Sequence, residues 1–74
     1  MSIVVYTKPD CVQCTRTFAL LDRKNIPYET VDLMENGDAL VRIKELGYLQ
    51  APVVDTGETH WSGFRPDLIN SLTA

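Results

Sequence analysis

The sequence contains little of what a metal centre, a membrane span or a nucleic-acid surface needs. It has two cysteines and one histidine, and no apolar run approaches the roughly 18 residues of a membrane helix. Seven basic residues stand against ten acidic ones, with a net charge of -3. The basic residues are scattered, which argues against nucleic acid and anionic membranes as partners. Because no basic stretch leads into a long apolar segment, we expect a cytoplasmic protein.

The composition is that of a folded protein. Hydrophobic residues make up 45% of the sequence, a share typical of globular proteins and too high for a disordered chain. The length of 74 residues leaves no room for a second domain, because domains rarely have fewer than roughly 50 residues. We therefore expect one domain over residues 1–74.

Hydrophobic periodicity in the first half predicts a strand, a helix and a second strand. The unbroken apolar run 3–6 is typical of a central strand that is covered on both faces. A helix is predicted to begin at Cys11 or Val12, and Asn25 can adopt the left-handed conformation that ends it. Polar and apolar residues alternate over 28–33, which predicts a half-exposed strand parallel to the first.

The second half predicts a helix, a hairpin and a last helix. Asn36 or Asp38 can cap the second helix, which ends at Gly47. The hairpin joins a third strand, beginning at residue 53, to a fourth strand at 58–61. The residues predicted to face inward from the two helices are Leu40, Ile43 and Leu46 in the second, and Leu68, Ile69 and Leu72 in the third, which starts near Pro66. The order is βαβαββα, an α/β fold with a four-stranded mixed sheet flanked by three helices.

The two cysteines form a Cys-x-x-Cys motif at the predicted start of the first helix. Free backbone N–H groups and the helix dipole stabilise a thiolate there, so we expect a lowered pKa and a nucleophilic role for Cys11. Cys14 lies one turn further along the helix and should be less exposed. It is placed to resolve a mixed disulfide that forms on Cys11.

Metal binding is the alternative chemistry for such a pair. A zinc site needs about four ligands, and His60 is the only further Cys or His residue. Copper-transfer domains usually carry Met-x-Cys-x-x-Cys, whereas Pro9 occupies the position of that methionine. A soft-ligand site for Cu(I) fits the two thiols but not the surrounding pattern.

The element order and three segments point to one family. A Cys-x-x-Cys motif between the first strand and first helix of a βαβαββα chain resembles the thioredoxin fold. The segments TKPDCVQC, GYLQAPVV and HWSGFRPD resemble the NrdH-redoxin family along almost the whole chain. The resemblance implies a cis proline that faces the cysteines, a peptide-binding edge beside it, and an apolar segment where glutaredoxins hold glutathione. The partner-binding residues it implies are Lys8, Val12, Gln13, Ala51, Pro52, Trp61, Ser62, Gly63 and Phe64.

The resemblance also implies partners. A monomeric dithiol carrier would reduce a protein disulfide, that of the large subunit of class Ib ribonucleotide reductase, and would be re-reduced by thioredoxin reductase. NADPH and FAD would belong to that reductase, so no cofactor or metal bound to this chain is expected. An aromatic near a turn is by itself more often core packing than a binding contact, but the resemblance implies that Trp61 and Phe64 offer an aromatic surface to a partner protein. A glutathione-dependent glutaredoxin is the alternative, and it differs in its electron donor.

Overall fold

The computed structural model describes residues 3–72, which form four strands and three helices in the predicted order. The strands are β1 (Val4–Thr7), β2 (Glu29–Asp32), β3 (Val53–Asp55) and β4 (His60–Ser62), and the helices are α1 (Val12–Arg23), α2 (Gly37–Glu45) and α3 (Pro66–Asn70). The fourth strand starts two residues later than predicted. Gly57, at a φ of 92°, and the hydrogen bonds of Thr56 Oγ1 hold the preceding residues in a turn.

The sheet has the order β2-β1-β3-β4. Strand β1 runs parallel to β2 and antiparallel to β3, and β4 completes the hairpin with β3. The predictions of a central first strand, a parallel second strand and a mixed sheet are thus confirmed. The end of β1, the start of β3 and the end of β4 lie side by side at one end of the sheet, because Tyr6, Val53 and Ser62 are register partners. The loops at this end of the sheet carry the residues of the candidate site.

Two hydrophobic clusters cover the two faces of the sheet. Val5, Val54 and Trp61 are register partners on one face, where they pack with residues of α1 and α3. Tyr6 and Val53 point to the other face and pack with residues of α2, as the alternation of side chains along a strand requires. Both faces of β1 and β3 are therefore buried.

The inner face of α2 differs from the predicted one. Ile43 is buried as predicted, but the residue buried with it is Ala39, whereas Leu40 is 36% exposed. The helix is capped by Asn36, whose Oδ1 accepts a hydrogen bond from the backbone N of Ala39 at 3.0 Å. Residues four apart share a helix face, so Ala39 and Ile43 contact the sheet while Leu40 is turned toward solvent. Among residues 3–72, no helix is long and apolar enough to span a membrane.

Candidate active site

Cys11 is the N-cap residue of α1. Its φ and ψ of -111° and 102° are extended, and its Sγ accepts a hydrogen bond from the backbone N of Cys14 at 3.1 Å. Its carbonyl oxygen accepts the first helical bond, from the N of Thr15 at 3.1 Å. The predicted start of the helix is confirmed. A negative charge on this sulfur would meet a backbone N–H and the positive end of the helix dipole.

The two cysteines differ in exposure as predicted. They are joined in a disulfide whose Cα atoms are 5.2 Å apart. Cys14 is only 2% exposed and packs in the cluster that contains Tyr6 and Ala51, whereas Cys11 is half-buried. A partner can therefore reach Cys11 more easily than Cys14.

The loop before β3 lies directly across from the disulfide. Its Ala51–Pro52 peptide bond is cis, as the resemblance implied. The carbonyl oxygen of Ala51 is 3.8 Å from Cys11 Sγ, and both residues of this bond are buried. Backbone atoms, and not a charged side chain, therefore face the outer cysteine from this side.

Residues 62–64, which follow Trp61, are hydrogen-bonded both to the loop before β3 and to α1. Ser62 Oγ donates to the carbonyl oxygen of Gln50 at 3.1 Å, and the backbone N of Gly63 donates to the carbonyl oxygen of Pro52 at 2.8 Å. The backbone N of Phe64 donates to Gln13 Oε1 at 3.0 Å. Residues 62–64 thus lie beside the Cys-x-x-Cys turn.

The prediction that Trp61 presents an exposed aromatic surface is wrong. Its side chain is 5% exposed and packs against Val54 and Ile69 in the core. The register of the hairpin decides this, because Trp61 faces the same side of the sheet as its partner Val54. Its Nε1 is buried without a hydrogen-bond partner among the described residues. Phe64 packs only partly against this cluster and retains exposed surface.

An open groove of about 300 Å³ runs between the cysteine turn and the loop before β3. Its lining residues are Lys8, Cys11, Val12, Gln13, Gln50 and Ala51. Val12 is 67% exposed, and Leu49, next to Gln50 in the chain, is 86% exposed. Gln50 and Leu49 were not among the predicted site residues. Their position immediately before Ala51 and Pro52 predicts loop residues near the proline, but by itself it indicates no role beyond packing.

Tyr48 ties the loop before β3 to the edge strand β4. Its hydroxyl lies 2.6 Å from His60 Nδ1 and 3.2 Å from the carbonyl oxygen of His60. His60 is exposed, as expected of an edge-strand residue. Within residues 3–72, no three Cys, His, Asp or Glu side chains are grouped so that they could hold a metal ion.

Comparison with known proteins assigns the chain to a family. The family model for glutaredoxin matches residues 3–61. The glutaredoxin-like protein NrdH of Escherichia coli (strain K12) is 39% identical over 72 residues, which are 97% of this chain and 89% of that protein. The chain belongs to the NrdH-redoxin branch of the glutaredoxin family. The NrdH of Salmonella typhimurium is 42% identical with the same coverage.

Solved structures agree with this NrdH-type assignment. NrdH-redoxin from Escherichia coli matches with a TM-score of 0.96 at 38% identity, and the match covers 100% of this chain and 97% of that one. A buckwheat glutaredoxin in complex with glutathione matches with a TM-score of 0.73 at 28% identity, over 89% of this chain and 64% of that one. The chain is therefore a thiol-disulfide oxidoreductase that carries electrons on the Cys11–Cys14 pair. This family assignment favours redox chemistry over the metal-transfer alternative.

Proposed function

We propose that the chain reduces the disulfide of class Ib ribonucleotide reductase on its large subunit and is re-reduced by NADPH-dependent thioredoxin reductase. The observation that carries this proposal is the chemistry of the groove. Of its six lining residues, Lys8 alone is charged. Val12, which is one of the six, and Leu49, which precedes Gln50 in the chain, are exposed and apolar. Glutathione brings two carboxylates, which need charged or backbone donors. A protein partner brings a broad surface that can cover the apolar residues.

A relative of known structure supports a thioredoxin-like activity as well. The Escherichia coli NrdH-redoxin structure accounts for a thioredoxin-like activity profile in a glutaredoxin-like protein. This chain has the same fold along its whole length. On this proposal it acts as a cytoplasmic monomer, and FAD and NADPH stay with the reductase.

The exchange proceeds in two steps. The Cys11 thiolate attacks one sulfur of the target disulfide, and the other target sulfur leaves as a thiolate. The Cys14 thiolate then attacks Cys11 Sγ and releases the second target sulfur. The target gains two electrons and takes up two protons from solvent, while the carrier loses two electrons and its two thiol protons. The N–H of Cys14, 3.1 Å from Cys11 Sγ, stabilises the Cys11 thiolate on which the first step depends.

The target chain would lie along the loop before β3. An extended segment can pair with the backbone of Ala51, as in strand addition at an exposed edge. Lys8 and Val12 line the same groove, and the backbone of Phe64 is held next to it by Gln13. Trp61 supports this surface from below by fixing β4 to the core.

A coupled NADPH assay tests the electron donor. One reaction contains thioredoxin reductase and the other contains glutathione with glutathione reductase, and both use the large subunit of a class Ib ribonucleotide reductase as acceptor. We expect NADPH oxidation with thioredoxin reductase and almost none with glutathione. Efficient turnover with glutathione alone would assign the chain to the glutathione-dependent glutaredoxins instead.

A matched pair of variants tests the surface. Leu49→Asp places a charge on the exposed apolar residue next to the groove. It should raise the KM for thioredoxin reductase by about 10-fold, which corresponds to roughly 1.4 kcal/mol. Val41→Asp makes the same change on α2, at a residue that is 56% exposed and does not line the groove. It should leave the KM unchanged. Equal changes of KM in the two variants would show that the reductase does not bind at Leu49.

A further inference from the structure

Gln13 connects the first turn of α1 to a distant segment. It is the second residue of the helix and stands between the two cysteines. Its Oε1 accepts a hydrogen bond from the backbone N of Phe64 at 3.0 Å, across 51 residues of sequence. The resemblance implied that Gln13 contacts a partner, but its acceptor oxygen is already engaged within the protein.

Gly63 is fitted to this connection. It has a φ of 87°, and an added Cβ would lie 3.2 Å from Gln13 Oε1. Its backbone N donates to the carbonyl oxygen of Pro52 at 2.8 Å. The consecutive N–H groups of Gly63 and Phe64 are therefore held from opposite sides of the disulfide.

We propose that Gln13 is a positioning residue for disulfide exchange, and that its amide oxygen holds residues 62–64 against the cysteine turn so that the groove is open to a partner disulfide before the partner arrives. This inference deepens the proposed function and rests on exchange at Cys11. It does not depend on which protein supplies or receives the electrons.

The chemistry of glutamine suits this position. The group must accept a hydrogen bond, must reach past the first helical turn, and must add no negative charge beside the Cys11 thiolate. Lysine and arginine cannot accept a hydrogen bond, and asparagine is one methylene shorter. Glutamate can accept, but its charge would oppose the thiolate. Glutamine meets all three conditions.

The predicted consequence is an effect on binding without an effect on thiol reactivity. Ser62 and Gly63 keep their bonds to Gln50 and Pro52 without Gln13, but Phe64 loses the contact that fixes it beside the cysteine turn. Its ordering would then occur when a partner binds, and that ordering reduces affinity. The bond is solvent-exposed, so its net contribution is that of an ordinary hydrogen bond, which corresponds to roughly 2- to 10-fold in affinity. Gln13 is neutral, so its replacement by another neutral residue leaves the charge near Cys11 unchanged.

The experiment compares Gln13→Met with Gln13→Glu in the reduction of insulin, with excess dithiothreitol as the electron source. We expect Gln13→Met to raise the KM for insulin roughly 2- to 10-fold with kcat and the pH dependence of Cys11 alkylation unchanged. Gln13→Glu retains the acceptor and should keep a KM close to that of the parent. Its new charge should move the alkylation profile to higher pH.

Other outcomes would overturn the inference. An unchanged KM in Gln13→Met would show that the bond does not position the groove. An equal rise of KM in Gln13→Met and Gln13→Glu would show that the amide itself contacts the partner. A shifted alkylation profile in Gln13→Met would place its effect on the thiol. Activity of the parent with dithiothreitol but not with thioredoxin reductase would reject the proposed electron donor and leave this test intact.

Gly63→Ala provides an independent approach to the same contact if Gln13→Met fails to fold. The added methyl group should push on Gln13 Oε1 and raise the KM, in addition to the effect of the strained φ. In a Gln13→Ala background the contact is gone, so the two changes together should raise the KM less than the product of their separate effects. Fully multiplicative effects would contradict the coupling.

Discussion

The two sides of the disulfide are built in different ways. On the helix side, the contacts that surround Cys11 come from its neighbours in the chain: the backbone N of Cys14 to its sulfur and the backbone N of Thr15 to its carbonyl oxygen. On the facing side, residues 62–64 are held by contacts from Gln50, 12 residues away, and from Gln13, 51 residues away. The contacts on the helix side are local in sequence, whereas those on the facing side join segments that are distant in sequence.

This difference separates reactivity from recognition. A thiolate at a helix N-terminus is stabilised by the first turn alone, so the chemistry of Cys11 needs only a short piece of sequence. The surroundings of the groove need the loop before β3, the β3–β4 hairpin and the Gln13 contact together. Changes on the facing side should therefore alter partner choice and KM while leaving the intrinsic reactivity of the thiol nearly intact.

The largest expected effect concerns the helix side alone. Cys11→Ser should reduce insulin no faster than dithiothreitol without the protein, because the attacking sulfur is gone. Cys14→Ser, reduced and then freed of dithiothreitol, should still attack insulin but stall as a mixed disulfide, because no other thiol remains to resolve it. Non-reducing electrophoresis and intact-mass measurement would detect that adduct. Turnover of both variants near the parent rate would exclude a dithiol mechanism.

The same contrast explains what the sequence could predict. The N-cap of α1 at Cys11 and the left-handed conformation of Asn25, which follows the end of the helix at a φ of 58°, both follow from local rules about caps. The cis Ala51–Pro52 bond followed only from the resemblance, because an X-Pro bond is cis in about 5% of cases. The parallel pairing of β1 with β2 was predictable because a helix between two strands favours a parallel pair.

The errors have one physical cause. The resemblance implied that Trp61 contacts a partner, although an aromatic near a turn is by itself more often part of the core. Its burial is decided by its register with Val54, which no local pattern reveals. Leu40 was assigned to the inner face of α2, but the sheet contacts Ala39 and Ile43. The Gln13–Phe64 contact was likewise invisible, since it joins distant segments.

The second prediction tests whether the facing side depends on the core beneath it. Trp61→Ala should lower the free energy of unfolding by about 3–5 kcal/mol, as expected for loss of a buried aromatic side chain. Trp61→Phe should cost only ~1 kcal/mol, because the buried Nε1 has no partner to lose. Urea titrations followed by circular dichroism measure both values, since these variants lack the only tryptophan. Equal losses in the two variants would contradict this assignment of Trp61 to apolar packing.

The smallest expected effect lies at the outer end of the facing side, where Arg65 donates two hydrogen bonds to Asp67, at 3.2 and 3.0 Å. These bonds lower the pKa of Asp67 below its ordinary value. A carboxylate with a lowered pKa in the folded state stabilises the protein above its unfolded pKa, and this stabilisation is lost as the pH falls through the folded pKa.

Asp67→Asn should therefore lower the Tm at pH 7 by only roughly 1 to 3 °C, because the pair is exposed and screened by solvent. The difference from the parent should disappear in acid. Thermal melts at pH 7 and at acidic pH, each at low and high salt, would check both points. A Tm difference that persisted unchanged in acid would show that the pair does not act through the charge of Asp67.

Selective alkylation of the reduced protein tests the central claim that Cys11 is the attacking thiol and Cys14 the buried, resolving one. The protein is treated with limiting iodoacetamide at pH 7, and the adduct is located by peptide mass spectrometry. We expect nearly all of the label on Cys11, because its sulfur is more exposed and lies at the helix N-terminus. Preferential labelling of Cys14 would reverse the two roles and contradict the mechanism.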